Sequence, residues 1–133
     1  MKPVFADTFF FLAILNRADP LHQRAAAYSR NGRLLCVTTD WVLTEVADGL
    51  SKAAYRERFM DLYRHIQISA AIRVVPASRT LFEESISLFA SRPDKDWTLT
   101  DCISFVVMRD EGLTHSLTGD QHFEQAGFNA LLK

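Results

Sequence analysis

Short apolar runs alternate with helix-length segments along this chain, and that alternation constrains the fold more than any other feature. Residues 3–6, 33–38, 72–75 and 114–118 read as short buried strands. Between them the pattern predicts helices over 8–17, 20–30, 40–52, 55–67 and 99–109, another starting at Ser78, and one helical turn over 121–125. Asp19 reads as an N-cap with Pro20 at the first helical position, and 129–132 as an edge strand. Segment 99–109 is apolar almost all round, as a buried helix is. Strands separated by helices argue for an α/β fold whose parallel sheet is covered on both faces. The 133 residues make one domain, spanning 1–133.

In such a sheet, ligands bind outside the carboxyl ends of the strands, where the strand order reverses. Four acidic residues fall at positions that lead there: Asp7 after the first strand, Asp120 after the fourth, and Glu45 and Asp101 near the starts of helices. Each adjoins a strongly apolar segment. A carboxylate carried into a core must be protonated, paired or bound to a cation. No cluster of Lys or Arg stands at the same junctions, so a divalent metal is the partner to expect.

Each carboxylate also has a purely structural reading. Asp7 and Asp120 stand where N-caps stand, and Thr98-Leu-Thr-Asp101 has the form of a capping box with Asp in place of Glu. Glu45 is harder to explain that way. It lies about one turn into its helix, on the sector between Trp41 and Val42, where it caps nothing.

These residues carry a resemblance. Asp7-Thr8, the stretch Thr39-Asp-Trp-Val-Leu-Thr-Glu45-Val, the segment Asp96-Trp-Thr-Leu-Thr-Asp101-Cys-Ile-Ser-Phe, and Thr118-Gly-Asp120-Gln-His-Phe resemble, in order and over the whole length, the motifs of PIN-domain proteins of the VapC toxin type. The resemblance implies a three-layer α/β/α sandwich around a parallel sheet of four to five strands, and a metal-dependent nuclease acting mainly on RNA. It implies that Asp7, Glu45, Asp101 and Asp120 are the catalytic acidic quartet. Asp7 and Asp101 are then the principal metal ligands, with Glu45 and Asp120 available as further ones. Thr118, Thr8 and Asp96 take supporting roles: Thr118 as a hydroxyl near the last Asp, Thr8 as a site hydroxyl or a helix cap, and Asp96 in fixing the loop before Asp101. An antitoxin protein received on the third and fourth helices, and a homodimer, are implied in the same way.

The chemistry fits without the family. Mg²⁺ and Mn²⁺ prefer oxygen ligands, and Mg²⁺ takes only one or two carboxylates while keeping waters and substrate phosphate. The expected reaction is in-line hydrolysis of a phosphodiester by a cation-activated water. Ser51 and Ser69 lack a visible His–acid arrangement, and the histidines lack zinc spacing. His122, two residues after Asp120, reads either as a helix-surface or packing residue or as a group that touches the site. Cys36 and Cys102 fall in apolar runs and read as buried, reduced thiols of a cytoplasmic protein.

Net charge of -1 argues against a wholly basic nucleic-acid-binding domain but leaves room for one basic groove. Arg24, Arg30, Arg33, Lys52, Arg56, Arg58 and Arg64 are either phosphate contacts or a solvated helix face. The run Phe9 to Leu15 is too short for a membrane span and lacks the flanks of a signal peptide. A haloacid-dehalogenase phosphatase needs a second Asp where Phe9 stands, and a receiver domain needs an acidic pair and a late Lys that are missing. The surviving alternative is a PIN-like module that binds RNA or protein without cutting.

Overall fold

The computed structural model describes residues 2–133. Its elements run β1 (Val4–Ala6), α1 (Thr8–Leu15), α2 (His22–Ser29), β2 (Cys36–Thr39), α3 (Asp40–Gly49), α4 (Arg56–Ile68), β3 (Ile72–Val75), α5 (Arg79–Ser91), α6 (Leu99–Glu111), β4 (His115–Leu117), α7 (Gln121–Gln125) and β5 (Asn129–Ala130). The strands pair in the order β3-β2-β1-β4-β5, and every pairing is parallel. Phe5 lies at the centre, in register with Val37 on one side and Ser116 on the other. Because crossovers between parallel strands are right-handed, the steps β1 to β2 to β3 put α1–α4 on one face, and the return to β4 and β5 puts α5–α7 on the other. The result is the expected three-layer α/β/α sandwich, with a sheet of five strands.

Burial explains the composition of the elements. All three residues of β1 and all four of β2 are buried, so neither strand shows alternation. Helix α6 buries residues Asp101 to Met108 without a break, since α3, α5 and α7 all pack against it. Behind the carboxyl edge of the sheet, Phe105 of α6 forms an aromatic hub. Its ring centroid lies 5.0 Å from Trp97, 4.9 Å from Phe123 and 5.8 Å from Phe128.

Several boundaries differ from the sequence expectation: α1 and α3 end earlier, at Leu15 and Gly49, and two others differ for clear local reasons. The second strand starts at Cys36 because residues 31–34 form a turn, in which Asn31 Oδ1 accepts from the Arg33 N–H and its carbonyl from Leu34. The second helix starts at His22, with Leu21 as its N-cap, so Asp19 does not cap it. Asp19 instead accepts from the Leu21 N–H at 2.8 Å and closes the preceding turn. Both cysteines are free and buried, as expected, and burial pushes the Cys36 thiol up to about 11. Among the described residues, no helix is long and apolar enough to cross a membrane.

Candidate active site

The strand order reverses between β1 and β4, and the residues that follow these two strands meet there. Asp7 is the first residue past β1, and Thr118 the first past β4. The Thr118 hydroxyl, fully buried, donates to Asp7 Oδ2 at 2.9 Å and accepts from the Asp120 backbone N–H at 3.0 Å. One hydroxyl therefore fixes an acid from each strand end. Gly119 lets the turn close. A Cβ there would stand 2.9 Å from the Phe9 ring of α1, so a larger residue would have to displace that ring.

Asp7 occupies the N-cap position of α1, yet its side chain makes no capping hydrogen bond. Capping does not account for it. Its carboxyl is pushed up to about 7, chiefly by burial, and Asp101 and Glu45 lie close enough to add to the rise. Hydrogen bonds from the Thr118 hydroxyl and the Thr8 backbone pull the other way.

The remaining three acids are held just as specifically. Thr8, at the start of α1, donates its hydroxyl to Glu45 Oε1 at 2.6 Å, tying α3 to α1. Thr8 thus holds Glu45 instead of capping its own helix. Asp101 completes the expected capping box: Thr98 Oγ1 accepts from its N–H, and Asp101 Oδ2 accepts from the Thr98 N–H at 3.1 Å. Asp120 caps α7 by accepting from the His122 N–H at 2.9 Å. For Asp101 and Asp120 the structural reading holds, and it leaves an oxygen of each free for a functional one. Capping occupies one oxygen of each. The second oxygens of Glu45, Asp101 and Asp120 accept no hydrogen bond from the described residues.

Of the readings open to His122, the structure selects contact with the acids. It is neither a surface nor a packing residue, because its Nδ1 lies 2.9 Å from Asp101 Oδ2 and 3.6 Å from Asp120 Oδ1. Asp101, Asp120 and His122 each bring a ligand atom within 4.8 Å of the other two. The signal was present in Asp120-Gln-His122. A side chain in the first turn of a helix leans back toward its N-terminus, here toward the sheet edge and the acids.

Asp96 departs from expectation. It is exposed and makes no side-chain hydrogen bond among the described residues. The loop before α6 is held by its neighbour Trp97, whose Nε1 donates to Gln125 Oε1 at 3.0 Å and whose ring lies 5.1 Å from the Arg92 guanidinium.

Buried carboxylates with hard oxygen donors, one of them held protonated up to about pH 7 in the absence of a counter-charge, fit a small divalent cation. Thr118→Val tests the hydroxyl that joins Asp7 to Asp120. We expect it to cost about 1–3 kcal/mol, read from the urea midpoint, because it strands the Asp120 N–H. It should also raise the Asp7 pKa further, since the lost bond lowers it.

A parallel sheet in this order, with acids gathered at its point of reversal, places the chain in the PIN domain family. The family model matches residues 4–129, and the chain belongs to that family. It is similar to the 23S rRNA-specific endonuclease VapC20 of Mycobacterium tuberculosis, 26% identical over 125 residues that cover 94% of this chain and 95% of that protein. The crystal structure of VapC20, described as a sarcin–ricin loop cleaving toxin, matches with a TM-score of 0.84 at 25% identity, over 94% of this chain and 95% of that one. FitAcB from Neisseria gonorrhoeae shares the fold, with a TM-score of 0.64 at 15% identity over 96% of this chain and 94% of that one.

Proposed function

We propose that this protein is a divalent-metal-dependent endoribonuclease, using Mg²⁺ or Mn²⁺, and the toxin of a toxin–antitoxin pair. The observation that carries the reading is the convergence of Asp7, Glu45, Asp101 and Asp120 on one sheet edge, with an oxygen of each tied by a neighbour. Likeness to an rRNA-cleaving toxin over nearly the whole chain supports the substrate class. The non-cleaving alternative would be favoured by loss of an acid from the quartet, and all four are present.

Asp7 and Asp101 would hold the cation, with Glu45 and Asp120 completing its surroundings directly or through water. When bound, such a cation lowers the pKa of a water and neutralises charge gathering on the phosphate. The chain's own residues supply the preorganisation. Thr118 and Thr8 fix two carboxylates through short hydrogen bonds. His122 and the Thr98 N–H converge on Asp101 Oδ2, which locks the rotamer and leaves Oδ1 as the oxygen available to a ligand. Asp7 and Asp101 are buried, which keeps bulk water from screening their charges.

Antitoxin binding and a homodimer belong to the same reading. Met60, Tyr63 and Ile68 on α4, and Ile86 and Phe89 on α5, are large apolar residues left exposed, with Ile68 at 84%. The opposite side of α4 is taken up by packing, since Leu62 and Ile66 are core residues.

The test is direct. Purified protein, freed of any antitoxin, is incubated with cellular RNA and Mg²⁺ or Mn²⁺, and the cut ends are mapped. Cleavage with either ion and none in EDTA is expected; no cleavage with either ion sinks the reading. His122→Ala should weaken Mn²⁺ affinity about 10–100-fold, the usual effect of removing a partner that orients a ligand. His122→Asn, which keeps a donor near the place of Nδ1, should recover most of it. Calorimetric titration with Mn²⁺ distinguishes the two outcomes.

A further inference from the structure

Helices α1 and α3 leave the acidic site side by side, joined at the top by the Thr8–Glu45 hydrogen bond. One turn further along both helices, about 6 Å on, Leu12 meets Gly49. A Cβ on Gly49 would touch Leu12 at 3.4 Å, so the glycine keeps this seam narrow. Beyond the seam the surface opens into a groove of about 520 Å³, lined among others by Leu12, Asn16, Asp19, Gly49, Tyr55 and Arg58.

The far wall has a distinctive chemistry. The Arg58 guanidinium lies 5.1 Å from the Tyr55 ring centroid, and Tyr55 is 39% exposed. Arg58 makes no ion pair or side-chain hydrogen bond among the described residues. Its neighbours on α4 are occupied: Arg56 donates to the Ser51 carbonyl, and Arg64 pairs with Glu57 and Asp61. Arg17 and Lys52, on the turns that follow α1 and α3, are likewise without an ion pair among the described residues. Arg58 is thus the one cationic side chain that lines this groove, with the Asp19 carboxylate also in its lining.

We propose that the groove is a subsite for single-stranded RNA, in which an unstacked base lies on Tyr55 and Arg58 contacts the adjoining phosphate. The proposal rests on the ribonuclease reading and names where the strand runs after it leaves the acids. An aromatic face beside a guanidinium is a general means of holding single strands without reading sequence. Asp19 fits this polarity. One of its oxygens accepts from the Leu21 N–H, and the carboxylate repels phosphate toward Arg58 while offering an acceptor to a base N–H. Continuity with Glu45 through Gly49 favours the substrate over a protein partner as the occupant.

The test uses a 5′-fluorescein-labelled single-stranded RNA in EDTA, so that binding is read by anisotropy without cleavage. Tyr55→Ala and Arg58→Gln should each weaken binding roughly tenfold, while Tyr55→Phe, which keeps the stacking face, stays within about twofold of wild type. Arg58→Gln should also reduce the slope of log affinity against log salt by about 0.7, the share of one phosphate contact on a single strand. Both residues are exposed, so thermal melts should be unchanged. With Mn²⁺ added, both variants should raise KM more than they lower kcat. If wild type binds and cuts RNA and the variants do so equally well, the groove is not a substrate subsite and is left to a protein partner. If wild type neither binds nor cuts RNA, the ribonuclease reading falls and the subsite with it.

Discussion

Asp7→Asn should abolish RNA cleavage and, at the same time, stabilise the metal-free protein at pH 8. A variant that only damaged the fold would lose both. The catalytic half follows from the proposed role of Asp7 as a charged oxygen ligand; the loss should exceed about 100-fold, the upper end for partners that merely orient ligands. The stability half follows from burial. In the folded protein the Asp7 carboxyl is raised from 3.8 to about 7. Below pH 3.8, folded and unfolded chains are both protonated at this group, and its contribution is fully present. As pH rises from about 4 to about 7, the unfolded chain loses its proton while the folded chain keeps it, so stability declines; above about 7 the deficit is constant. Its size is on the order of 4 kcal/mol. Asn never ionises, so Asp7→Asn should flatten this decline and melt higher at pH 8. Wild type should recover stability when Mn²⁺ is added, by about 2.7 kcal/mol at a hundred times its Kd, and the variant should not. Melts across pH 4–8 with EDTA and with Mn²⁺ check every part. Cleavage by the variant at the wild-type rate would remove Asp7 from the metal centre.

Phe105→Ala should be the most damaging apolar truncation near the site, at about 3–5 kcal/mol, or roughly 10–20 °C in Tm. Phe105 is 4% exposed and is the only ring that touches Trp97, Phe123 and Phe128 together among the described residues. The consequence reaches function. Asp101 lies one turn earlier on α6, and His122 adjoins Phe123 on α7, so the Phe105–Phe123 contact sets the distance across the Asp101–His122 hydrogen bond. Below the melting temperature, Mn²⁺ affinity should therefore drop as well. Phe105→Leu, which refills part of the volume, should fall between. A Phe105→Ala protein that melts like wild type would show that the hub does not hold α6 against α7.

Much of this was legible in the residues. The strands at 72–75 and the helical turn at 121–125 are where apolar pattern and N-caps put them, because in each the local signal and the packing agree. The quartet was legible because capping failed to explain Glu45, and Asp7 proved stronger still: it stands at an N-cap position and caps nothing. What the sequence concealed were relations between segments. Nothing local says that Thr8 reaches Glu45 or that Thr118 joins two strand ends, since those bonds exist only once the sheet has chosen its order. The contact of His122 was only half legible for the same reason, its partner Asp101 lying 21 positions away. Asp96 was overvalued because it stands beside Trp97, which does the anchoring.

The bond between Thr118 and Asp7 spans 111 positions. Asp7 and Glu45 precede β4 in the chain, and β1 has no β4 to pair with until residues 115–117 have been made. Until then the first acid lacks the hydroxyl that steadies it, and Asp120 is absent. The acidic cluster is therefore assembled late, since it is complete only when β4 has docked beside β1.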